Sequence, residues 1–425
     1  MLQYIDQIEN EGILGIMRRS CNYVDPRLMN HGYRTSYLVS KILKRTGKYS
    51  EIEMRDICIL AMLHDIGAYK TEEISRMLEF ETENVWEHSN YGYLFIKYFS
   101  PLARLAPVVL LHHTSWKQLK EMEDVSEEIK TLAQILNIAD RTDVYMEEEG
   151  HRWEDFTGLL RQESGNKFAP WLVELVTEAG TEGLLEKRAL EDEKFKNLLG
   201  SLPFTKEEVK NYLRMVICTI DFRSRHTVTH TMTTTSISYE LALRMGMGEG
   251  EITSIVRGAL LHDLGKIGIP VEILEYPGRL SPQAMHIMRT HVKITEEILG
   301  TDVDETTKRI ALRHHEKLDG SGYPGKLTGR DLTKGERIVA VADIVSALTG
   351  TRSYKDAYPR EKVVDIIENM RREKTIDAEC VSCIVADYEE IMEHTLQRCQ
   401  PILDAYYNIK REYLENDKIL KHLQR

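Results

Sequence analysis

The sequence predicts an all-α protein made of two tandem copies of one helical domain. Three observations carry that expectation. No stretch of the 425 residues alternates apolar and polar side chains over any length, so strands are at most short. Apolar residues recur instead at helical spacing, as in Tyr37, Leu38, Ile42 and Leu43 after His31. A set of histidines and aspartates also occurs twice in one order: His31, His64-Asp65, His88, His112-His113 and Asp140, then His230, His262-Asp263, His291, His314-His315 and Asp343. Successive intervals are 33, 24, 24 and 28 residues in the first copy and 32, 29, 23 and 29 in the second. Agreement within five residues at every step is very hard to obtain by accident, and the repeat absorbs ten of the fifteen histidines.

Val24 to Gly47 reads as a loop followed by the helix that carries His31, and residues 55 to 67 as an apolar helix ending in His64-Asp65-Ile66-Gly67. His88 follows in W-E-H-S, His112-His113 follow Leu110-Leu111, and Asp140 follows Ile138-Ala139. The acidic, helical stretch from Thr177 breaks at Gly200-Ser201-Leu202-Pro203, which divides the chain into domains 1–200 and 201–425. Thr205-Lys206-Glu207-Glu208 is a capping-box pattern that starts the second domain. Ser281-Pro282 reads as an N-cap with proline at the first helical position, opening the helix of His291. The tail places Ile402, Tyr406, Ile409, Tyr413, Leu420 and Leu423 on a 4-3 spacing. That spacing suits the seam of a homodimer or, favoured here because three heptads are marginal for a coiled coil, a face packed on its own domain.

Composition bounds the partners. With 56 basic and 68 acidic residues the net charge is −12, which argues against binding polymeric nucleic acid. From Arg313 to Lys355 the balance reverses, with eight Lys/Arg against five Asp/Glu, as a small polyanion would require. Six scattered cysteines are too sparse for a disulfide framework, and the single C-x-x-C at Cys380–Cys383 has no second pair to make a metal site. Met1 to Ile13 already carries Asp6, Glu9 and Glu11, unlike a signal peptide. No apolar run approaches the ~18 residues of a membrane span. The expectation is a soluble, cytoplasmic protein.

The densest chemistry lies between Leu312 and Pro324, L-R-H-H-E-K-L-D-G-S-G-Y-P, where a histidine pair precedes two glycines and a proline that break the helix. Buried imidazoles need something to take their lone pairs, and a metal ion does so. Nitrogen and carboxylate ligands without cysteine suit Fe, Mn, Zn or Ni.

Three motifs together, H-D-L-G-K at 262–266, H-H-E-K-L-D-G-S-G-Y-P at 314–324 and V-A-D-I-V-S-A-L-T at 341–349, resemble the HD-GYP family. That family is the branch of the HD metal-dependent phosphohydrolases that cleaves cyclic dinucleotides. The resemblance covers roughly residues 205 to 370. It implies that Asp263 bridges two divalent metals, Fe or Mn foremost, with His230, His262 and Asp343 completing one site and His291, His314 and His315 the other. It implies phosphodiester hydrolysis by metal-bound hydroxide, with Asp263 and Lys266 as the catalytic residues and Lys266 reaching a phosphate. Arg352-Ser353-Tyr354-Lys355 resembles the family's R-x-Y-K, whose Arg352 and Lys355 hold substrate phosphates. Asp319, Gly322, Tyr323 and Pro324 would line the pocket, Tyr323 stacking on a base.

Two positions depart from the family. His226 stands where members with three metals carry Glu, and Ser346 where many carry a second Asp after Asp343. The first copy keeps His31, His64, Asp65, His88, His112, His113 and Asp140 as a second metal set, with Asp143 in the place of that second Asp. It has Ala68 for the lysine, Thr114-Ser115-Trp116 after His113, and no R-x-Y-K. It is similar to a plain HD domain that binds metal in structural or regulatory service. The function expected is hydrolysis of cyclic di-GMP to the linear dinucleotide by the second domain, with a further step to GMP left open. Cyclic GMP-AMP is the alternative substrate, a non-cutting receptor the alternative class, and a mononucleotide enzyme in the first copy the third reading.

Overall fold

The computed structural model describes residues 10–23, 26–70, 86–184, 192–200, 202–223, 229–276, 278–350 and 358–423. Among them no strand occurs, only isolated bridges between Ser164 and Phe168 and between Asp319 and Thr328. The all-α expectation therefore holds. His226, Arg352 and Lys355 lie outside the described residues.

Two compact units form, and each is discontinuous in sequence. One joins Asp25–Asn211 to Asn408–Arg425, the other joins Met1–Val24 to Tyr212–Tyr407. This differs from the contiguous division 1–200 and 201–425 at three places, each for a visible reason. Helix α1 (Asn10–Asn22) belongs to the second unit. It buries Ile13, Ile16 and Met17 completely, and Arg19 donates from Nε to Ile298 O at 2.6 Å and pairs with Asp302. The break at 200–203 is no boundary either. Arg55, nearly fully buried, meets Pro203 O at 3.2 Å and Glu208 at 3.0 Å with Phe204 under its guanidinium, so a buried charge ties 203–208 to the first unit.

In the first unit, α2 (Pro26–Thr46) packs on α3 (Glu51–Met62), and α4 (Trp86–Phe99) packs on α5 (Ala106–Leu111). Helix α6 (Glu127–Glu147) packs on α2 and α5. Ser50 and Glu53 start α3 with a reciprocal cap, Ser50 N donating to the Glu53 carboxylate at 2.8 Å and Glu53 N to Ser50 Oγ at 3.3 Å. The chain then leaves helix at Leu63 and passes His64-Asp65 into the 3-10 turn Ile66–Lys70, which lies on α4.

The second unit repeats the plan. Helix α7 (His230–Arg244) packs on α8 (Glu249–Leu261), and the 3-10 turn Leu264–Gly268 lies on α9 (Pro282–Leu299). Helix α10 (Glu305–Leu312) packs on α8, and α11 (Lys334–Thr349) on α7. The expected start of α9 is present: Ser281 Oγ accepts from Ala284 N at 3.2 Å with Pro282 in the first turn. The Thr205–Glu208 capping box is present as well, at 2.6 and 3.2 Å, but within the first unit.

One glycine shows the duplication at atomic scale. A Cβ on Gly67 would lie 1.9 Å from His88 O and 2.5 Å from Gly92 N; on Gly265 it would lie 1.9 Å from His291 O and 2.5 Å from Thr295 N. In both copies the turn after His-Asp abuts the helix that bears the next histidine so closely that only glycine fits.

The tail corrects the expectation that it packs on its own domain. It is one helix, α12 (Tyr388–Leu423), whose part from Asn408 belongs to the first unit. There Tyr413 stacks on Tyr91 at 4.4 Å, Glu412 pairs with Lys97 at 2.7 Å and accepts from Tyr98 Oη at 2.7 Å, and Asn416 donates to Asn90 at 3.0 Å. One face of α4 supplies these partners, which the tail's own periodicity could not reveal.

Candidate metal centres

The second unit gathers its seven expected ligands. His230, from the start of α7, lies with Nε2 3.3 Å from Asp263 Oδ2 and 3.1 Å from Asp343 Oδ1. His262 Nε2 is 3.1 Å from the same Asp263 oxygen. The other oxygen, Asp263 Oδ1, faces His291 Nε2 at 3.6 Å and His314 Nε2 at 3.9 Å. His315 lies 3.7 Å from Asp343 Oδ2. Ligating atoms of His230, His262 and Asp343 converge within 4.8 Å, as do those of His291, His314 and His315. One carboxylate thus stands between two ligand triads, one oxygen toward each.

The local chain sets these orientations. His262, His291 and His314 each donate Nδ1–H to the carbonyl three residues back, at 2.7, 2.7 and 2.6 Å, which turns Nε2 inward as the atom left for a metal once it carries no proton. The first copy repeats this at His64 and His112, at 2.7 and 2.6 Å. His230 is held by Ser346, whose Oγ accepts from Nδ1 at 3.0 Å and donates to His230 O at 3.2 Å. Ser346 thereby does the orienting work that Asp143 does for His31 at 2.7 Å, and Arg34 grips Asp143 at 2.6 and 2.9 Å.

The donor set fits metal ions. Nε2 of His64, His112, His230 and His262 and Oδ1 of Asp263 are buried without a hydrogen-bond partner, at a cost that a cation would remove. Charge points the same way. Burial opposes protonation of His262, yet Asp263 and Asp343 outweigh it and hold its pKa up at about 10. Burial pushes His291 down to about 4 and His315 down to about 3, and it takes His314 well below the ordinary range. Burial likewise opposes the charged form of Asp263, but His262 and Lys266 beside it hold its carboxyl low. Without metal, the carboxylates therefore keep protons on nearby imidazoles, while the remaining histidines are neutral ligands. Bound cations would displace those protons.

The first unit builds a matching cluster. His31 Nε2 is 3.0 Å from Asp140 Oδ1, while His64 and His88 lie 3.2 and 3.7 Å from Asp65 Oδ1. Ligating atoms of His88, His112 and His113 also converge. Here Arg141 clasps Asp140 Oδ2 through Nε at 3.0 Å and Nη2 at 2.8 Å. In the second unit the cation sits on the other aspartate: Lys266, at the position of Ala68, has its Nζ 2.5 Å from Asp263, with its side chain 21% exposed.

Of the expected pocket residues, Gly322 and Tyr323 lie against the ligands. A Cβ on Gly322 would meet Glu316 Cα and Lys317 N at 2.5 Å, so the loop closes onto the His-His-Glu segment only with glycine there. The Tyr323 ring packs on His315 at 4.6 Å and lies under the guanidinium of Arg289 at 4.8 Å, so it is engaged before any base arrives. Pro324, joined to Tyr323 by a cis peptide, is exposed. Asp319 is exposed too, and its carboxylate turns back on the loop, accepting from Ser321 N at 3.0 Å and Oγ at 2.7 Å. Sequence reasoning missed Glu316. Its buried carboxylate accepts from Gly325 N at 2.5 Å and Leu327 N at 2.9 Å, and so fastens the G-Y-P loop beside His315. Position alone, next to the histidine pair, was the available signal. Cys380 is buried and its thiol is pushed up by that burial, which suits the structural reading of the C-x-x-C.

Comparison with known proteins agrees. HD domain models match residues 28–145 and 214–380. The 3'3'-cGAMP-specific phosphodiesterase 1 of Vibrio cholerae serotype O1 is 27% identical over 383 residues, which is 85% of this chain and 88% of that protein. The cyclic di-GMP phosphodiesterase response regulator RpfG of Xanthomonas campestris pv. campestris is 33% identical over 204 residues, 47% of this chain and 53% of that protein. The crystal structure of a cyclic GMP-AMP specific phosphodiesterase of V. cholerae, V-cGAP3, shares the fold at TM-score 0.54 and 20% identity, covering 89% of this chain and 97% of the other. No helix among the described residues is long and apolar enough to cross a membrane. The chain belongs to the HD family, with two HD domains in tandem and the motifs of the HD-GYP branch in the second.

Proposed function

We propose that the second unit is a metal-dependent phosphodiesterase that opens a cyclic dinucleotide. The observation that carries this is the division of Asp263 between two ligand triads, with the G-Y-P loop fastened against one of them. His230, His262 and Asp343 would hold one divalent cation and His291, His314 and His315 the other, Asp263 serving both. Two such cations supply a water of lowered pKa and positive charge for a phosphate oxygen. The protein's own part is to place the diester: Lys266 and, by the family motif, Arg352 and Lys355 bind phosphate, and the loop limits how the nucleotide enters. Fe or Mn remains the metal expected from the resemblance.

Cyclic di-GMP led the sequence reading. A relative that aligns along 85% of the chain is named for 3'3'-cGAMP and another for cyclic di-GMP, so the two substrates stand level. A receptor without cleavage is disfavoured because the full ligand set and Lys266 are present together. The first unit, with equivalent ligands but Ala68 in place of the lysine and no G-Y-P loop, is assigned metal binding in structural or regulatory service.

The test is anaerobic purification with metal analysis, followed by product analysis on cyclic di-GMP, 3'3'-cGAMP and cyclic di-AMP. Metal-dependent appearance of a linear dinucleotide supports the proposal. Tight binding without product makes the protein a receptor, and neither binding nor product overturns the reading.

A further inference from the structure

We propose that Arg289 is an anion-binding residue at the mouth of the second site and holds the phosphate of the cyclic dinucleotide that is not being cleaved. The inference rests on the substrate class proposed above. Arg289 lies on α9, two residues before His291, with its side chain exposed. Its guanidinium sits 4.8 Å over the Tyr323 ring, and that ring packs at 4.6 Å on the imidazole of His315. One aromatic ring therefore separates this cation from the ligand cluster.

Its charge is unspent. Arg309 and Arg313 of the same unit are paired with Glu336 at 3.0 and 3.1 Å, and Arg337 with Asp377 at 3.3 Å, whereas Arg289 forms no ion pair among the described residues. The duplication supplies a control. The equivalent residue of the first copy, two before His88, is Trp86, whose ring lies 6.5 Å edge-on from His113, the counterpart of His315. The position that in the first copy sets a tryptophan directly beside this histidine carries, in the second, an arginine with the Tyr323 ring between it and His315, so it bears a cation only where the G-Y-P loop is present.

The chemistry asks for such a group. A cyclic dinucleotide has two phosphodiesters across one ring. The cluster and Lys266 engage the one to be cut, and the other, carrying a full charge outside the cluster, needs its own partner. An arginine fork matches phosphate oxygens two at a time, and cation–π contact with Tyr323 holds the fork without neutralising it.

Arg289→Ala and Arg289→Lys would be compared with the parent on the preferred cyclic dinucleotide and on bis(p-nitrophenyl) phosphate, a diester with one phosphate, at equal metal content. The alanine variant is expected to raise KM for the cyclic dinucleotide about tenfold, with lysine intermediate. The rise should be several-fold larger than any change in KM for the single diester. Equal effects on both substrates would mean that Arg289 acts only by propping Tyr323, and unchanged KM would mean that it does not touch substrate; either overturns the inference. A parent that cleaves no cyclic dinucleotide overturns the substrate class itself, and this is read before any variant is made.

Discussion

Replacing Gly265 by alanine tests how the fold places the Asp263 carboxylate between the two ligand triads. The new Cβ would stand 1.9 Å from His291 O and 2.5 Å from Thr295 N, where real Cβ contacts stay beyond 3.0 Å, and both neighbours are helix backbone that cannot rotate aside. The turn and α9 must then part by about 1 Å, at an overpacking cost of about 1–3 kcal/mol. Asp263 lies two residues before the glycine and His291 supplies the clashing carbonyl, so the shift acts directly between two side chains 3.6 Å apart that are proposed to share one cation. Misplacement on this scale costs about 100-fold in rate. Gly67→Ala is the matched control, since its clash with His88 O is the same 1.9 Å in the other unit. Steady-state cyclic-dinucleotide hydrolysis, thermal melting and metal content would be measured on both. Comparable losses of stability are expected, with kcat/KM falling about 100-fold for Gly265→Ala and less than about tenfold for Gly67→Ala. Parental activity and metal content in Gly265→Ala would refute the claim that this contact sets the site.

Glu316→Gln puts an amide N–H where the carboxylate now accepts from Gly325 N or Leu327 N. Loss of a charge-assisted bond of about 1.5–3 kcal/mol should loosen the loop, raising KM while metal content stays level; unchanged KM would remove Glu316 from loop placement. Lys266→Ala should lower kcat/KM by at least about tenfold with metal retained, if the ammonium beside Asp263 meets the substrate phosphate as proposed. Turnover equal to the parent's would misplace the scissile phosphate.

The histidine and aspartate repeat was legible because ligand spacing along α-helices is a one-dimensional property. Both clusters assembled at the expected residues, and the caps at Thr205 and Ser281 formed, although the first of them lies in the first unit and does not open the second. What stayed hidden depends on surfaces far apart in sequence. Ile13, Ile16 and Met17 announce an apolar face but not the helix it meets, and the tail's 4-3 pattern says nothing of Tyr91 or Lys97 waiting on α4. Glu316 and Arg289 are not legible in the sequence because neither belongs to the ligand pattern; what singles them out is a loop folding back onto its own start and a ring that only the structure sets beneath a guanidinium. Tyr323 reads in sequence as a free stacking surface, whereas the fold already packs it on His315.

The division of labour between the units is tested most directly by comparing Asp263→Ala with Asp65→Ala at identical metal loading, reading metal per chain and cyclic-dinucleotide cleavage together. Asp263 is shared by two ligand triads, so its loss should empty the second unit of most of its metal and abolish cleavage. Asp65→Ala should remove metal from the first unit and lower its melting temperature, because bound metal stabilises only the folded state. Cleavage should stay within about tenfold of the parent, or ~1.4 kcal/mol in the barrier. Cleavage abolished by Asp65→Ala and spared by Asp263→Ala would place the working site in the other half of the chain.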